Sequence, residues 1–368
     1  MYLKINTNEE LLNFIETILG KSIDWIAIDT EFQRRDTYFP ALSLIQIATL
    51  QQTFVIDVLA NIDLQPLRKI LENQKILKVL HAGDQDFDAL NYKLNIKINP
   101  FIDTQVMATF ASLGKALSLE KLVLHFLKIQ MDKSLQDSNW LNRPLSDDQI
   151  TYAARDAEYI AKIYQPLHAE LVTLNRLSWV QAEMQNLFEK YTNPPLSKEW
   201  LKFCKPNQRY LQHLYAYVLV SWREKIAKTT NKARPLVIAN TFLEYMIQTK
   251  NHTPYTEKFC KTEYLEDFLD TWHSIEELAK NSELRQLLEQ EVNEHFAKIS
   301  PEYKELLAKI NSHINTIAND LNMPADVIMN KQQKLQAVKT NGESLNSWRQ
   351  EMFKDLFETS YIIVDQLL

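Results

Sequence analysis

Asp29 and Glu31 stand at i and i+2 in WIAIDTEF (Trp25 to Phe32), where four apolar residues lead straight into two carboxylates. In a strand both side chains share one face. Ionised carboxylates drawn out of water are costly unless a cation or a metal neutralises them, and a hard divalent metal with oxygen ligands is the natural partner. Two further segments supply acids. In ILKVLHAGDQDFDALNYKL a strand ends at His81, Gly83 allows a tight turn, and a helix opens with Asp84, Asp86 and Asp88. Acids in a first helical turn also suit capping and the helix dipole, so periodicity alone does not choose the functional one. In PLSDDQITYAARDAEYIAKIY, Ser146 and Gln149 form a capping box. The helix that follows has an apolar stripe of Ile150, Ala153, Ala157, Ile160 and Ala161, with Tyr152 and Asp156 at i and i+4 off that stripe. Four carboxylates from a strand and two helices, without a basic catalytic partner, suit two divalent ions about 3.5 to 4 Å apart for in-line phosphoryl displacement. Mg²⁺ or Mn²⁺ accepts such ligands and leaves positions for water and phosphate.

The elements that must position these residues alternate over the first 110 positions. Strands are expected at Trp25 to Phe32, Leu42 to Ala48, Thr53 to Val58, Ile76 to His81 and Phe101 to Asp103. Helices are expected around Asp63 to Asn73, from Gly83, and up to about Leu113. Three strands followed by alternating helices and strands indicate an α/β sheet with an antiparallel edge. Beyond Leu145 the pattern is helical. Pro194 and Pro195 mark a linker, and a second break falls at Ile299 to Pro301. The expected organisation is an α/β domain over 1–195 and two small all-α domains over 205–290 and 300–368.

Composition narrows the chemistry. Four glycines cannot supply a phosphate-binding loop or a dinucleotide fingerprint, and eight scattered histidines offer no paired zinc spacing. Cys204 and Cys260 read as ordinary thiols. The N-terminal segment lacks the succession of a secretory signal and no stretch is apolar enough to span a bilayer, so a cytoplasmic location without membrane contact is expected. Net charge is −6, unevenly spread: Lys198 to Arg234 carries nine Lys or Arg against two acids, and Tyr255 to His295 carries eleven acids against four bases. That asymmetry suggests a local anion-binding face, or a solvated helix surface.

In chain order, IAIDTEFQRRDTYFPALSLIQIA, VLHAGDQDFDAL and YAARDAEYI resemble the three motifs of the DEDD superfamily of 3′→5′ exonucleases. Tyr-x-x-x-Asp at 152 to 156 resembles the tyrosine-bearing subclass rather than relatives carrying histidine, and the approach SNWLNRPLSDDQITYAARD is similar to that of the ribonuclease D family. The resemblance covers roughly residues 1 to 190. It implies a ribonuclease H-like (DnaQ-like) α/β exonuclease domain with a mixed sheet, and metal ligation by Asp29, Glu31, Asp86 and Asp156. Asp86 has the family spacing, five residues after His81 and four before Leu90, which leaves Asp84 and Asp88 as capping or surface acids. Tyr152 is then expected to orient the attacking water. A phenol with a pKa near 10 is a poor base at neutral pH, so the metal would do most of the deprotonation.

Asp103 in FIDTQ matches a family position and equally suits a helix cap. Arg34, Arg35, Tyr38, Lys133, Trp140 and Arg143 are candidates for phosphate contact or base stacking. Gln46 either reaches substrate or satisfies a buried backbone group, and His81 reads as structural. Tyr210 to Lys250, with Trp222, Arg223, Glu224, Ala227, Asn231, Pro235 and Leu243, resembles the HRDC module, which implies guidance of single-stranded nucleic acid with salt-sensitive binding. The segment from 300, with Pro301, Tyr303, Ile328, Trp348 and Arg349, looks like a second, divergent copy.

The resemblance thus implies an exoribonuclease that releases nucleoside 5′-monophosphates from RNA 3′ ends, with tRNA precursors and small structured RNAs as partners, acting as a monomer. A DNA exonuclease on the same fold is the nearest rival, since the metal chemistry does not need a 2′-OH. A nucleic-acid-binding scaffold with a vestigial core is a second.

Overall fold

The computed structural model describes residues 2–21, 23–192, 198–296 and 301–364. The proline linker at 194–195 and most of the break at 299–301 lie outside them. Two compact units result: Met1–Gln33, Ala41–Asn193 and Ile299–Leu368 form one, and Arg34–Pro40 with Pro194–Lys298 the other.

A six-stranded mixed sheet centres the first unit. Its strands are β1 (Tyr2–Ile5), β2 (Trp25–Gln33), β3 (Ala41–Ala48), β4 (Thr53–Asp57), β5 (Leu77–Leu80) and β6 (Phe101–Asp103), in the order β1-β4-β3-β2-β5-β6. Pairings β2–β3 and β3–β4 are antiparallel and the rest parallel. The antiparallel edge expected from the sequence is therefore corrected. The reversed strand β3 is interior, because β1 adds outside β4. Neither β1 nor helix α1 (Asn8–Gly20) was anticipated. The cue for α1 was present, since Thr7 and Glu10 form a capping box.

The two sheet faces divide by parity. Ile26, Ile28, Ile45, Ile47 and Ile56 are fully enclosed, and Phe14 of α1 meets Phe54 at 4.5 Å between ring centres. Asp29 and Glu31 point to the opposite face, which is covered by a 27-residue helix described below.

Three more elements frame the strand ends. Helix α2 (Asp84–Leu94) follows β5 through Ala82, which sits in the left-handed region at φ 52°, and Gly83. A Cβ at Gly83 would lie 2.9 Å from Leu80 Cδ2 and 3.1 Å from Leu80 Cβ, so a larger residue here would press on the Leu80 side chain. Helix α3 (Thr104–Phe110) starts directly after β6 with Asp103 as its N-cap. Helix α4 (Asp147–Thr173) opens with the expected box: Ser146 Oγ accepts from Gln149 N at 3.2 Å, and Gln149 Oε1 accepts from Ser146 N at 3.0 Å. Ala153, Ala154 and Ala157 are buried in α4, and such short side chains allow a helix to approach the sheet closely.

Helix α5 (Leu177–Thr192) joins the C-terminal segment to this core. Trp348 stacks on Trp179 at 5.1 Å, and buried Arg349 donates to Ile328 O, Val327 O and Glu183. Trp348 Nε1 and Asn346 Nδ2 donate to the same Glu183.

In the second unit, helix α6 (Tyr210–Thr229) is buried along most of its length among Trp200, Leu243, Tyr255, Phe268 and Ile275. Residues that carry the HRDC resemblance grip the short segment 34–40. Tyr38 donates to Glu224 at 2.9 Å, Asn231 Oδ1 accepts from Phe39 N at 2.9 Å, and Arg234 lies over the Tyr38 ring and pairs with Glu224. The acidic stretch neutralises part of the basic run: Lys198 pairs with Glu291, Lys225 with Asp267, and Lys232 with Glu263. The anion-binding face suggested by charge asymmetry is correspondingly reduced. Among the described residues no helix is long and apolar enough to cross a membrane.

Candidate metal centre

Asp29, Glu31 and Asp156 each offer a carboxylate oxygen, and these oxygens all lie within 4.8 Å of one another. Strand β2 supplies the first two and α4 the third. Opposite Glu31 the ladder slips: Glu31 pairs with Leu44, but Phe32 pairs with Leu42, leaving Ser43 as a bulge. Bulges re-aim neighbouring side chains, and this one sits beside the acids.

Of the three acids in the β5–α2 turn, only Asp86 is buried. It stands outside the close trio and accepts a hydrogen bond from Thr30, the residue between the two strand acids. Asp84 accepts from Tyr191, and Asp88 is exposed. Thr30 had no signal in the sequence beyond its position between the two acids.

The electrostatics are those of crowded, half-buried carboxylates. Burial pushes Asp29 well above the carboxylate range, reinforced by Asp86, Asp156 and Glu31. Burial and then Asp156 and Asp86 raise Glu31 to about 9. Burial raises Asp156 to about 7 against the opposing pull of Tyr152 and Lys133. Asp86 is raised to about 6 by burial, opposed by the Thr30 hydroxyl. The cationic Lys133 is itself tied to Glu120 at 2.9 Å. Tyr152 is shifted strongly upward by burial and by Asp156, so its phenol stays protonated. Like charges at this separation hold each other's protons on until a multivalent cation replaces them.

A cleft of about 500 Å³ opens beside Tyr152 and Asp156, with Asp132, Ser134, Arg155 and Tyr159 in its wall. Other candidates are committed elsewhere. Trp140 is buried, with its ring 6.1 Å from Tyr152. Arg143 donates to both Asp57 oxygens and to the Trp140 carbonyl. Tyr38 is held by Glu224 and Arg234, Arg34 donates to the Tyr38 carbonyl at 3.0 Å, and Arg35 is exposed. His81 Nδ1 lies 2.9 Å from Thr104 Oγ1, in keeping with a structural reading. Gln46, paired across the ladder with Asp29, is fully enclosed, and neither end of its carboxamide has a protein partner among the described residues.

Residues 2–172 match the 3′-5′ exonuclease family. Ribonuclease D of Haemophilus influenzae is 30% identical over 322 residues, covering 85% of this chain and 79% of that protein. The chain belongs to the ribonuclease D family. Ribonuclease D of Zymomonas mobilis is 38% identical over 217 residues, 57% of this chain; the match spans little more than half of that relative, 55%. The crystal structure of Escherichia coli RNase D, described as an exoribonuclease involved in structured RNA processing, superposes with a TM-score of 0.81 at 23% identity over 98% of both chains. This ribonuclease D-family chain thus shares that protein's fold, a ribonuclease H-like mixed sheet followed by helices.

Proposed function

We propose that this chain is a divalent-metal-dependent 3′→5′ exoribonuclease that releases nucleoside 5′-monophosphates from RNA 3′ ends. The observation that carries the reading is the convergence of Asp29, Glu31 and Asp156, three half-buried carboxylates whose oxygens lie within 4.8 Å of one another. Family membership supports RNA as the substrate class. Precursor tRNAs and small structured RNAs are the proposed targets, and a cytoplasmic monomer the proposed form. The domain reading proposed with it is an exonuclease domain over 1–195, an HRDC domain over 205–290 and a divergent HRDC-like domain over 300–368.

Asp29, Glu31, Asp86 and Asp156 would hold two ions, Mg²⁺ or Mn²⁺, which suits an all-oxygen donor set. When bound, such ions neutralise the carboxylates, make the attacking water more acidic and stabilise the leaving 3′ oxygen. Tyr152, kept protonated by burial and Asp156, orients that water by hydrogen bonding and remains neutral throughout. The water oxygen would bond to the terminal phosphorus as the bond from phosphorus to the 3′ oxygen breaks, the water losing one proton to solvent and the departing 3′ oxygen taking one up, which leaves a 3′-hydroxyl and a nucleoside 5′-monophosphate. The cleft beside Tyr152 has room for the terminal nucleotide.

The test is digestion of a 5′-labelled RNA with Mg²⁺ or Mn²⁺, comparing the native protein with Asp29→Asn and running a matched DNA strand in parallel. A ladder that shortens from the 3′ end, is lost in the variant and is slower on DNA is expected. Equal cutting of DNA would reassign the substrate. RNA binding without any cutting would leave only a scaffold.

A further inference from the structure

Asp103 makes more bonds than a helix cap needs. Its Oδ1 accepts from Gln105 N at 2.7 Å and Val106 N at 3.4 Å, the first turn of α3. The same oxygen accepts from Ala82 N at 3.1 Å, and Oδ2 accepts from Gly83 N at 2.9 Å. One buried carboxylate therefore ties the start of α3 to a turn twenty residues earlier in the chain. That turn holds a non-glycine residue in the left-handed region, a conformation that costs free energy and persists only where its surroundings over-determine it. Asp86 lies three residues past Gly83, in the helix whose start this turn sets.

From this geometry we infer that Asp103 is a positioning residue for Asp86: it fixes the Ala82–Gly83 turn and thereby holds the Asp86 carboxylate at Thr30, where it serves the metal centre. The arrangement costs something electrostatically. Asp103 raises Asp86 through like-charge repulsion, a cost that a cap made from serine would avoid. The inference rests on the reading of Asp86 as a metal ligand given above. Groups that orient metal ligands typically affect metal affinity or activity by about 10- to 100-fold.

Substitution separates capping from bridging. Asn and Ser cap helices about as well as Asp, so a pure cap predicts that Asp103→Asn and Asp103→Ser both behave as wild type. A bridge predicts a graded loss. Asn keeps one acceptor oxygen and presents an NH₂ group to one of the turn amides, whereas Ser caps α3 but is too short to reach the turn. The expected result on 5′-labelled RNA is a fall in kcat of about tenfold for Asn and about a hundredfold for Ser. KM for RNA should be little changed, and the Mn²⁺ concentration for half-maximal activity should rise. Mn²⁺ binding followed by electron paramagnetic resonance should weaken in the same order. Melting temperatures measured alongside show whether each variant is folded. Should Ser fail to fold, Asn with its Mn²⁺ titration decides alone.

Asp86→Asn is run in parallel. An inactive Asp86→Asn with wild-type kcat and Mn²⁺ requirement in the folded Asp103 variants would overturn the inference and leave the site reading standing. A loss in those variants that follows lowered melting temperature, with Mn²⁺ half-saturation unchanged, also overturns it. A fully active Asp86→Asn would remove the site reading itself.

Discussion

Two acidic sites in this molecule have opposite surroundings. In the helical unit, Glu224 is met by the Arg234 guanidinium and the Tyr38 hydroxyl, and its pKa is held below the usual range despite burial. At the end of β2, Asp29, Glu31 and Asp156 face mainly one another, and all three are raised. Both sites draw carboxylates at least partly out of water, yet only one provides the compensating charge from its own side chains. The difference teaches that burial of an acid is not by itself a functional signal. An acid neutralised within the fold is structural, and a group of acids left to repel one another marks a place for a cation from outside.

The largest effect that could break this contrast is at Asp156. Asp156→Ala is expected to abolish hydrolysis while leaving RNA binding nearly intact, measured by digestion and by filter binding on the same preparation. An active variant would place the acid trio among structural features. Tyr152→Phe should slow turnover by about a hundredfold without weakening Mn²⁺ binding; wild-type single-turnover rates would remove the hydroxyl from the mechanism.

The third expectation concerns pH. A carboxylate raised on folding contributes stability that is fully present below its unfolded pKa and is lost as pH rises through its folded pKa. Here the unfolded range is about 4, and the loss runs through about 6 for Asp86, about 7 for Asp156 and about 9 for Glu31. The metal-free protein should therefore melt at progressively lower temperature between about pH 5 and about pH 9, and millimolar Mn²⁺ should flatten that slope. A flat metal-free profile would contradict the proposed repulsion. At the small end, Glu224→Gln keeps the shape but removes the charge facing Arg234, and should cost about 1 to 3 kcal/mol in urea unfolding. The metal dependence of stability should be unchanged.

Much of the site was legible because its acids lie in short local patterns. The alternation in β2 puts Asp29 and Glu31 on one face, and i to i+4 spacing brings Tyr152 beside Asp156. The Ser146 and Gln149 box announced the helix that carries both. The missing pieces depend on distant partners. Strand β1 is four residues long with two exposed side chains, too short for its alternation to stand out, and its position becomes clear only through pairing with β4. That Asp103 reaches back to Ala82 and Gly83 follows from β5 and β6 being neighbours. Nor does a local charge count reveal that Glu263, Asp267 and Glu291 meet lysines more than thirty residues away.

The packing of the C-terminal helices has a practical side. Trp348 lies against Trp179 and Phe110, Arg349 is sealed over Glu183, and Phe353 is enclosed, all in one continuous apolar core with the sheet. Cutting the chain near residue 195 to obtain a minimal nuclease would therefore divide a core that the proposed exonuclease domain shares with the proposed C-terminal one. The fragment would carry bare aromatic surface and an orphaned glutamate, and its behaviour in solution would report on that wound before it reported on catalysis.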